Sequence, residues 1–198
     1  MSLPGTDAHF EMAPEMRIKE INELKIAERN PRNAAVLMLF YPKNDLTHLA
    51  LILRPVYEGV HSGQIALPGG KVEELDQNYE QTALRETYEE IGVPSSTIEM
   101  IKKMSKVYIP PSNFWVHPYL GFCEQRPEFV LQEEEVDKVI EVPVEELINA
   151  KNRVPKVLTT SYAKNIEVPS FQFNGHTVWG ATAMMLNELK TSIKQAIE

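Results

Sequence analysis

The sequence predicts an α/β chain, and three observations predict it. Residues 34–41 are a continuous apolar run, as a strand buried on both faces requires. Between residues 84 and 91 the period turns helical, with Leu84, Thr87, Tyr88 and Ile91 at i, i+3, i+4 and i+7 and so expected on one core-facing side. A second helical stripe, Trp179, Ala183, Leu186 and Leu189, lies near the C-terminus. With 198 residues, 43% hydrophobic and 24% charged, the chain is expected to form one domain with an appended element. The formal charge of -8, with no basic patch, argues against nucleic acid as the main partner. The run 34–41 is far too short to span a membrane, and the start lacks the basic-then-apolar pattern of a secretory leader. Cys123 is the only cysteine, so no internal disulfide can form and a reducing cytoplasm is expected.

Taken in order, residues 1–13 mix polarity with Pro4 and Gly5 and are expected to be loosely ordered. Ile18, Ile21 and Leu24 then suggest an amphipathic helix from Pro14 to near Arg29, which Pro31 ends. This helix is expected to pack on the domain or on a second subunit, as in a homodimer. The boundary is therefore placed between residues 1–30, a tail and appended helix, and residues 31–198. After the first strand, residues 42–45 supply turn chemistry and residues 48–54 the returning strand of a hairpin, with His48 exposed near the turn. Residues 57–68 are a loop leading into a short strand. Residues 98–109 read as one long or broken strand, 114–122 and 138–142 as further strands, and 143–148 as a short helix. Residues 151–175 hold short strands and loops. Cys123 falls in an apolar, strand-like run and reads as a buried, inert thiol. Phe114 and Trp115 read either as core or as platforms for a base.

Glu86, Glu89 and Glu90 gather on one side of the helical segment at about 100° per residue. Like charges at i,i+4 cost a helix roughly 0.2–0.5 kcal/mol per pair. Arg85 offsets part of this cost. A solvated acidic face is one reading. The combination with Gly69 and Gly70 behind Pro68, and with a closing Gly92 suited to positive φ, supports another. In that reading clustered hard oxygens hold Mg²⁺ or Mn²⁺.

At these residues the sequence resembles the Nudix hydrolases, whose signature is Gly, five residues, Glu, seven residues, then Arg-Glu-apolar-x-Glu-Glu-x-Gly-apolar. Residues 85–93 match its second half, except that Thr87 stands at an apolar position. In the first half, fifteen positions separate Gly70 from Arg85 where the signature has fourteen, and Asp76 occupies the place of the first Glu. That variation is similar to the coenzyme A pyrophosphatase branch, as are the run 61–64 before Pro68 and the run 178–183. The same branch carries Leu-Arg where this chain has Glu58 and Gly59. The resemblance covers roughly residues 34–190.

The resemblance implies an α/β/α sandwich with a mixed, curved sheet. It further implies a metal-dependent hydrolase that splits the phosphoanhydride of a nucleoside diphosphate derivative, coenzyme A or a relative of it, with ADP-ribose or a dinucleotide as the alternative. It assigns Glu86, Glu90 and a carbonyl at Gly70 to the metal, Glu89 to the metal or to the base, and Arg85 to supporting the loop–helix geometry. A loop in the position of 132–136 brings a further carboxylate to the site in many members, which makes Glu134 and Glu135 candidates for the base. Arg54, His61, Gly63 and Gln64 are the substrate candidates. Arg54 also reads as a surface charge, and His61 as a brace for its loop. Two other readings stand beside this one. An isoprenoid-diphosphate isomerase of the same fold would need a pocket cysteine. A non-catalytic binding module commonly lacks box glutamates, whereas this chain keeps all three.

Overall fold

The computed structural model describes residues 2–56, 62–159 and 165–197. Its centre is β1 (Arg32–Lys43), which runs antiparallel to β2 (Leu46–Leu53) and parallel to β7 (Phe114–Phe122). Asn44 and Asp45 join β1 to β2 with φ of 50° and 61°, the left-handed pair that a tight two-residue hairpin turn uses. The sheet runs β3 (Ile65–Ala66), β2, β1, β7, β5 (Glu99–Lys103). Beside this path β4 (Gly69–Lys71) pairs with β1, β6 (Val107–Ile109) with β7, and β8 (Lys138–Pro143) with β2. A separate antiparallel sheet holds β9 (Arg153–Leu158), β10 (Ile166–Phe173) and β11 (His176–Trp179). The expected strand over 98–109 is thus broken between β5 and β6.

The alternation of β1 explains why its run is apolar throughout. Ala35, Leu37, Leu39 and Tyr41 face a cluster with Ala83, Ile91 and Val93 of helix α3 (Tyr79–Ile91) and its exit. Val36 and Met38 face the opposite cluster, which includes Phe171 and Phe173 of β10 and Ala183, Leu186 and Leu189 of helix α5 (Gly180–Ile197). Helices therefore cover both faces of a mixed sheet, the α/β/α arrangement expected. Helix α4 (Val144–Ile148) buries Leu147 in the second cluster. Trp179 ends β11 instead of opening the helical stripe, which begins at Ala183.

Four local expectations are corrected. The segment expected as a loose tail over 1–13 is ordered within its described residues 2–13: helix α1 (Thr6–Phe10) buries Ala8 and His9, and Met12 is fully buried. The expected helix over 14–29 is shorter, α2 (Glu15–Glu23), because Leu24 turns extended before a 3-10 turn at Ile26–Arg29. His48 is buried because its register places it opposite Tyr41, on which its ring stacks. Its Nδ1 lies 3.2 Å from the Leu46 carbonyl oxygen. Finally, α3 is rotated relative to the expected stripe. Tyr88 is 58% exposed, whereas Thr82, Ala83, Thr87, Glu90 and Ile91 are buried. The small side chains of Ala83 and Thr87 let α3 lie close on the sheet. The Thr87 hydroxyl is satisfied by donating to the Ala83 carbonyl at 2.7 Å.

Candidate functional site

The site lies where α3 meets β4. Asn78 caps the helix by accepting from the Gln81 N–H at 2.8 Å, and Gly92 ends it at φ 73°. Gly69 has φ 146°, and a Cβ there would meet the Ala35 carbonyl oxygen at 2.3 Å, so only glycine allows β4 to lie against β1. A Cβ on Gly70 would fall 2.4 Å from Glu86 Oε2, which places the Glu86 carboxylate directly against the glycine backbone.

The carboxylates differ sharply in environment. Glu90 is 1% exposed and accepts from the Gly69 N–H at 2.7 Å through Oε2. Its Oε1 is buried with no hydrogen-bond partner among the described residues, and Arg54 Nη2 stands 3.6 Å away. Burial pushes the Glu90 carboxyl up to about 8, helped by the charges of Glu86 and Glu135 and opposed by the Gly69 N–H and Arg54. Glu86 is raised for the same leading reason, with Arg85 opposing and Glu89 and Glu135 adding to the rise. Glu89 is turned to Arg85, whose Nη1 donates to it at 2.7 Å. The expectation of three glutamates on one solvated face is therefore corrected. Glu90 lies between Glu86 and Thr87 around the helix and sits in the core contact.

Arg85 is the tie between loop and helix. Its Nε and Nη2 donate to the two Asp76 oxygens at 3.0 Å each, and Nη2 also donates to the Lys71 carbonyl at 3.0 Å. Its Nη1 contacts Glu86 Oε1 at 3.0 Å. Asp76 further accepts from the Glu73 N–H and the Thr82 hydroxyl, and Arg85 leads in holding its carboxyl well below the usual carboxylate range.

Of the acidic loop, Glu134 and Glu135 are both exposed, and the charge of Glu135 acts on Glu86 and Glu90. Among the described residues no three His, Cys, Asp or Glu groups are already gathered as a metal cluster. The donor set nonetheless suits a divalent cation. Two desolvated carboxylates and a third nearby repel one another, one buried oxygen lacks a partner, and the missing Cβ of Gly70 lets the Glu86 carboxylate reach the backbone there.

A cleft of about 310 Å³ opens from these glycines. Arg54, Gln64, Gly69, Gly70 and Lys71 line it near the site, and Arg17 and Ile21 of α2 form another part of its wall. Its lining is largely apolar and includes Phe114, while Trp115 packs against Tyr108 under Lys106. Gly63 takes φ 63° in the preceding turn and donates its N–H to Pro55, and the Gln64 carbonyl accepts from the Arg54 N–H. His61, Glu58 and Gly59 lie outside the described residues. Cys123 is buried, 3.9 Å from the Thr97 hydroxyl, and burial pushes its thiol up. Arg17 and Lys71 were not legible as cleft residues. The only trace of Arg17 in the sequence is its i,i+4 spacing from Ile21 on a helix crowded with charge.

Residues 29–161 match the NUDIX domain family. The chain is 30% identical over 162 residues to a protein of Yersinia pestis (strain Pestoides F) described as an uncharacterized Nudix hydrolase, NudL, covering 82% of this chain and 80% of that one. A homologue of the same description in Yersinia pseudotuberculosis serotype O:1b matches equally. The structure resembles that of RenU, a Nudix hydrolase from M. smegmatis, with a TM-score of 0.57 at 17% identity over 85% of this chain and 88% of the other. It also resembles a MutT/nudix family protein from Enterococcus faecalis, with a TM-score of 0.55 at 16% identity over 96% and 72%.

Proposed function

The chain belongs to the Nudix family and is a Nudix hydrolase of the pyrophosphatase type, and from that premise we propose that it hydrolyses the phosphoanhydride of coenzyme A or a derivative. The observation that carries this reading is the buried Glu90 carboxylate, with one oxygen unbonded, held against Gly69 and near Arg54, both of which line a cleft bearing cations. Glu86 and Glu90, with a Gly70 backbone oxygen and Glu89, would hold Mg²⁺ or Mn²⁺. When bound, such an ion neutralises diphosphate charge and lowers the pKa of water.

The chain's own residues then divide the work. Arg85 holds the loop over 71–76 against α3, keeping Glu86 and the glycines in register. Arg54, with Gln64 and Lys71 beside it, meets the anionic diphosphate. A water oxygen bonds to phosphorus, the bridging P–O bond breaks, and its electron pair leaves with the departing phosphate. The water's proton passes to a carboxylate, for which Glu135 is the first candidate and Glu89 and Glu134 follow. Among the described residues no helix is long and apolar enough to cross a membrane, and we place the enzyme in the cytoplasm, acting on a small molecule as a monomer or homodimer.

A second reading, cleavage of ADP-ribose or a dinucleotide, is favoured by Glu58 and Gly59 standing where the coenzyme A branch has Leu-Arg. Product analysis with Mg²⁺ or Mn²⁺ on coenzyme A, ADP-ribose and a dinucleoside polyphosphate tests both. The expected products from coenzyme A are 4′-phosphopantetheine and adenosine 3′,5′-bisphosphate. Much faster cleavage of either other substrate would transfer the assignment to the second reading.

A further inference from the structure

We propose that α2, which precedes the family-matched region, is a substrate-binding element, and that Arg17 is a specificity-determining residue that takes a phosphate outside the scissile diphosphate. The inference rests on the proposed hydrolysis of a nucleoside diphosphate derivative and narrows its substrate class.

Three observations converge on it. First, the cleft is charged against the grain of the chain. The protein has 28 acidic and 20 basic residues, yet among the described residues lining the cleft the charged ones are Arg17, Arg54 and Lys71, and none is acidic. A cleft of that charge inside an acidic protein attracts an anion with more charge than Arg54 alone would meet. Second, Arg54 is already committed near the carboxylates, with Nη2 3.4 Å from the Gly69 carbonyl oxygen and 3.6 Å from Glu90 Oε1. Arg17 comes from a different element. Its side chain is 10% exposed, and it is paired with Glu20. A guanidinium buried in a mostly apolar wall is costly unless anionic groups meet it. The Arg17 guanidinium presents five N–H donors in a planar fork that matches the geometry of phosphate oxygens.

Third, the segment leading into α2 is held in place. Glu188, fully buried on α5, accepts from the Gly5 N–H at 3.1 Å and the Ser105 N–H at 3.2 Å, and lies 3.1 Å from His9 Nε2. Asn187 donates to the Ala8 carbonyl at 2.7 Å, and Arg153 donates to the Glu11 carbonyl at 2.7 Å. These bonds fix the path of the chain just before Met12, Ala13 and Pro14, which line the cleft ahead of Arg17 and Ile21. A wall anchored this firmly can position a charge for recognition.

The test compares substrates that differ by one phosphate. The kcat/KM ratio of coenzyme A to dephospho-coenzyme A is measured for the wild type, Arg17→Met and Arg17→Lys, with thermal unfolding of each as the control for folding. The ratio should fall at least about tenfold in Arg17→Met, chiefly through KM, and by less in Arg17→Lys, which keeps the charge but loses the fork. In parallel, calorimetry on the same proteins compares binding of adenosine 3′,5′-bisphosphate with AMP. The preference for the bisphosphate should shrink by a similar factor. If no variant or wild-type protein hydrolyses either substrate but this Arg17-dependent preference remains, the proposed reaction fails and the assignment of Arg17 stands. An unchanged ratio in catalysis and in binding, or an equal loss on both members of each pair, overturns the assignment. Should Arg17→Met fail to fold, the Arg17→Lys ratios decide by the same criterion.

Discussion

Glu90 Oε2 accepts a 2.7 Å hydrogen bond from the Gly69 backbone N–H, joining the core side of α3 to the turn of β4. The bond makes one residue both a structural acceptor and a candidate metal ligand. It also changes what a substitution there should do.

Glu90→Gln keeps an acceptor for the Gly69 N–H and removes a carboxyl whose ionised form burial disfavours, so its unfolding temperature without metal should equal or exceed that of the wild type. Its hydrolysis should nevertheless fall by more than about a hundredfold, beyond the range typical of residues that only support a ligand. Glu90→Ala should lose activity and also about 1–3 kcal/mol of stability, because the Gly69 N–H is left unpaired. Urea unfolding and turnover on the same preparations check both. Near-normal turnover of Glu90→Gln at saturating Mg²⁺ would remove Glu90 from the metal site.

The Asp76–Arg85 pair should show in acid. Because Asp76's folded carboxyl titrates below the ordinary value of 3.8, its contribution is present above that pH and is lost as pH falls below it. Asp76→Asn should lower stability at pH 7 by about 1.5–3 kcal/mol and lack that acid-dependent component. Denaturant midpoints at several pH values test this, and parallel wild-type and variant curves in the acid range would refute it.

His117 supplies a second pH dependence with its own window. Its ring stacks on Tyr79 at 3.8 Å, Nε2 lies 3.1 Å from Asn33 Oδ1, and burial, with Lys103 and Lys106 nearby, lowers it from 6.5 to about 4. Between those values the unfolded chain binds the proton and the folded one does not. Stability should therefore fall as pH drops from about 6.5 toward 4. His117→Phe, which keeps the stack, should flatten that part of the profile. A slope unchanged from the wild type would assign the effect elsewhere.

The acidic loop can now be divided. The charge of Glu135 is among the influences that raise both Glu86 and Glu90. Glu135→Gln should lower kcat at least about tenfold with a much smaller change in KM, as loss of a base does. Glu134→Gln should have the smaller effect. Wild-type kcat in both single variants and in the double variant would return the loop to the solvated surface.

Local rules determined much of this protein directly from the sequence. The apolar run made β1 a strand buried on both sides, Asn44 and Asp45 made the hairpin turn, and Gly92 ended α3, each by a constraint acting within a few residues. The box from Gly70 to Val93 pointed to the family for the same reason, since its spacing is a property of the chain. What tertiary structure decided was orientation. Helical period fixes the angles between Glu86, Tyr88 and Glu90 but not which arc meets the sheet. The close approach permitted by Ala83 and Thr87 turned Glu90 inward and Tyr88 outward. Likewise nothing local marks residues 2–13 as docked or Arg17 as a cleft residue. The docking follows from Glu188 and Asn187, which meet Gly5, Ala8 and His9 across 179 to 183 positions and whose burial needs partners that only the folded chain supplies.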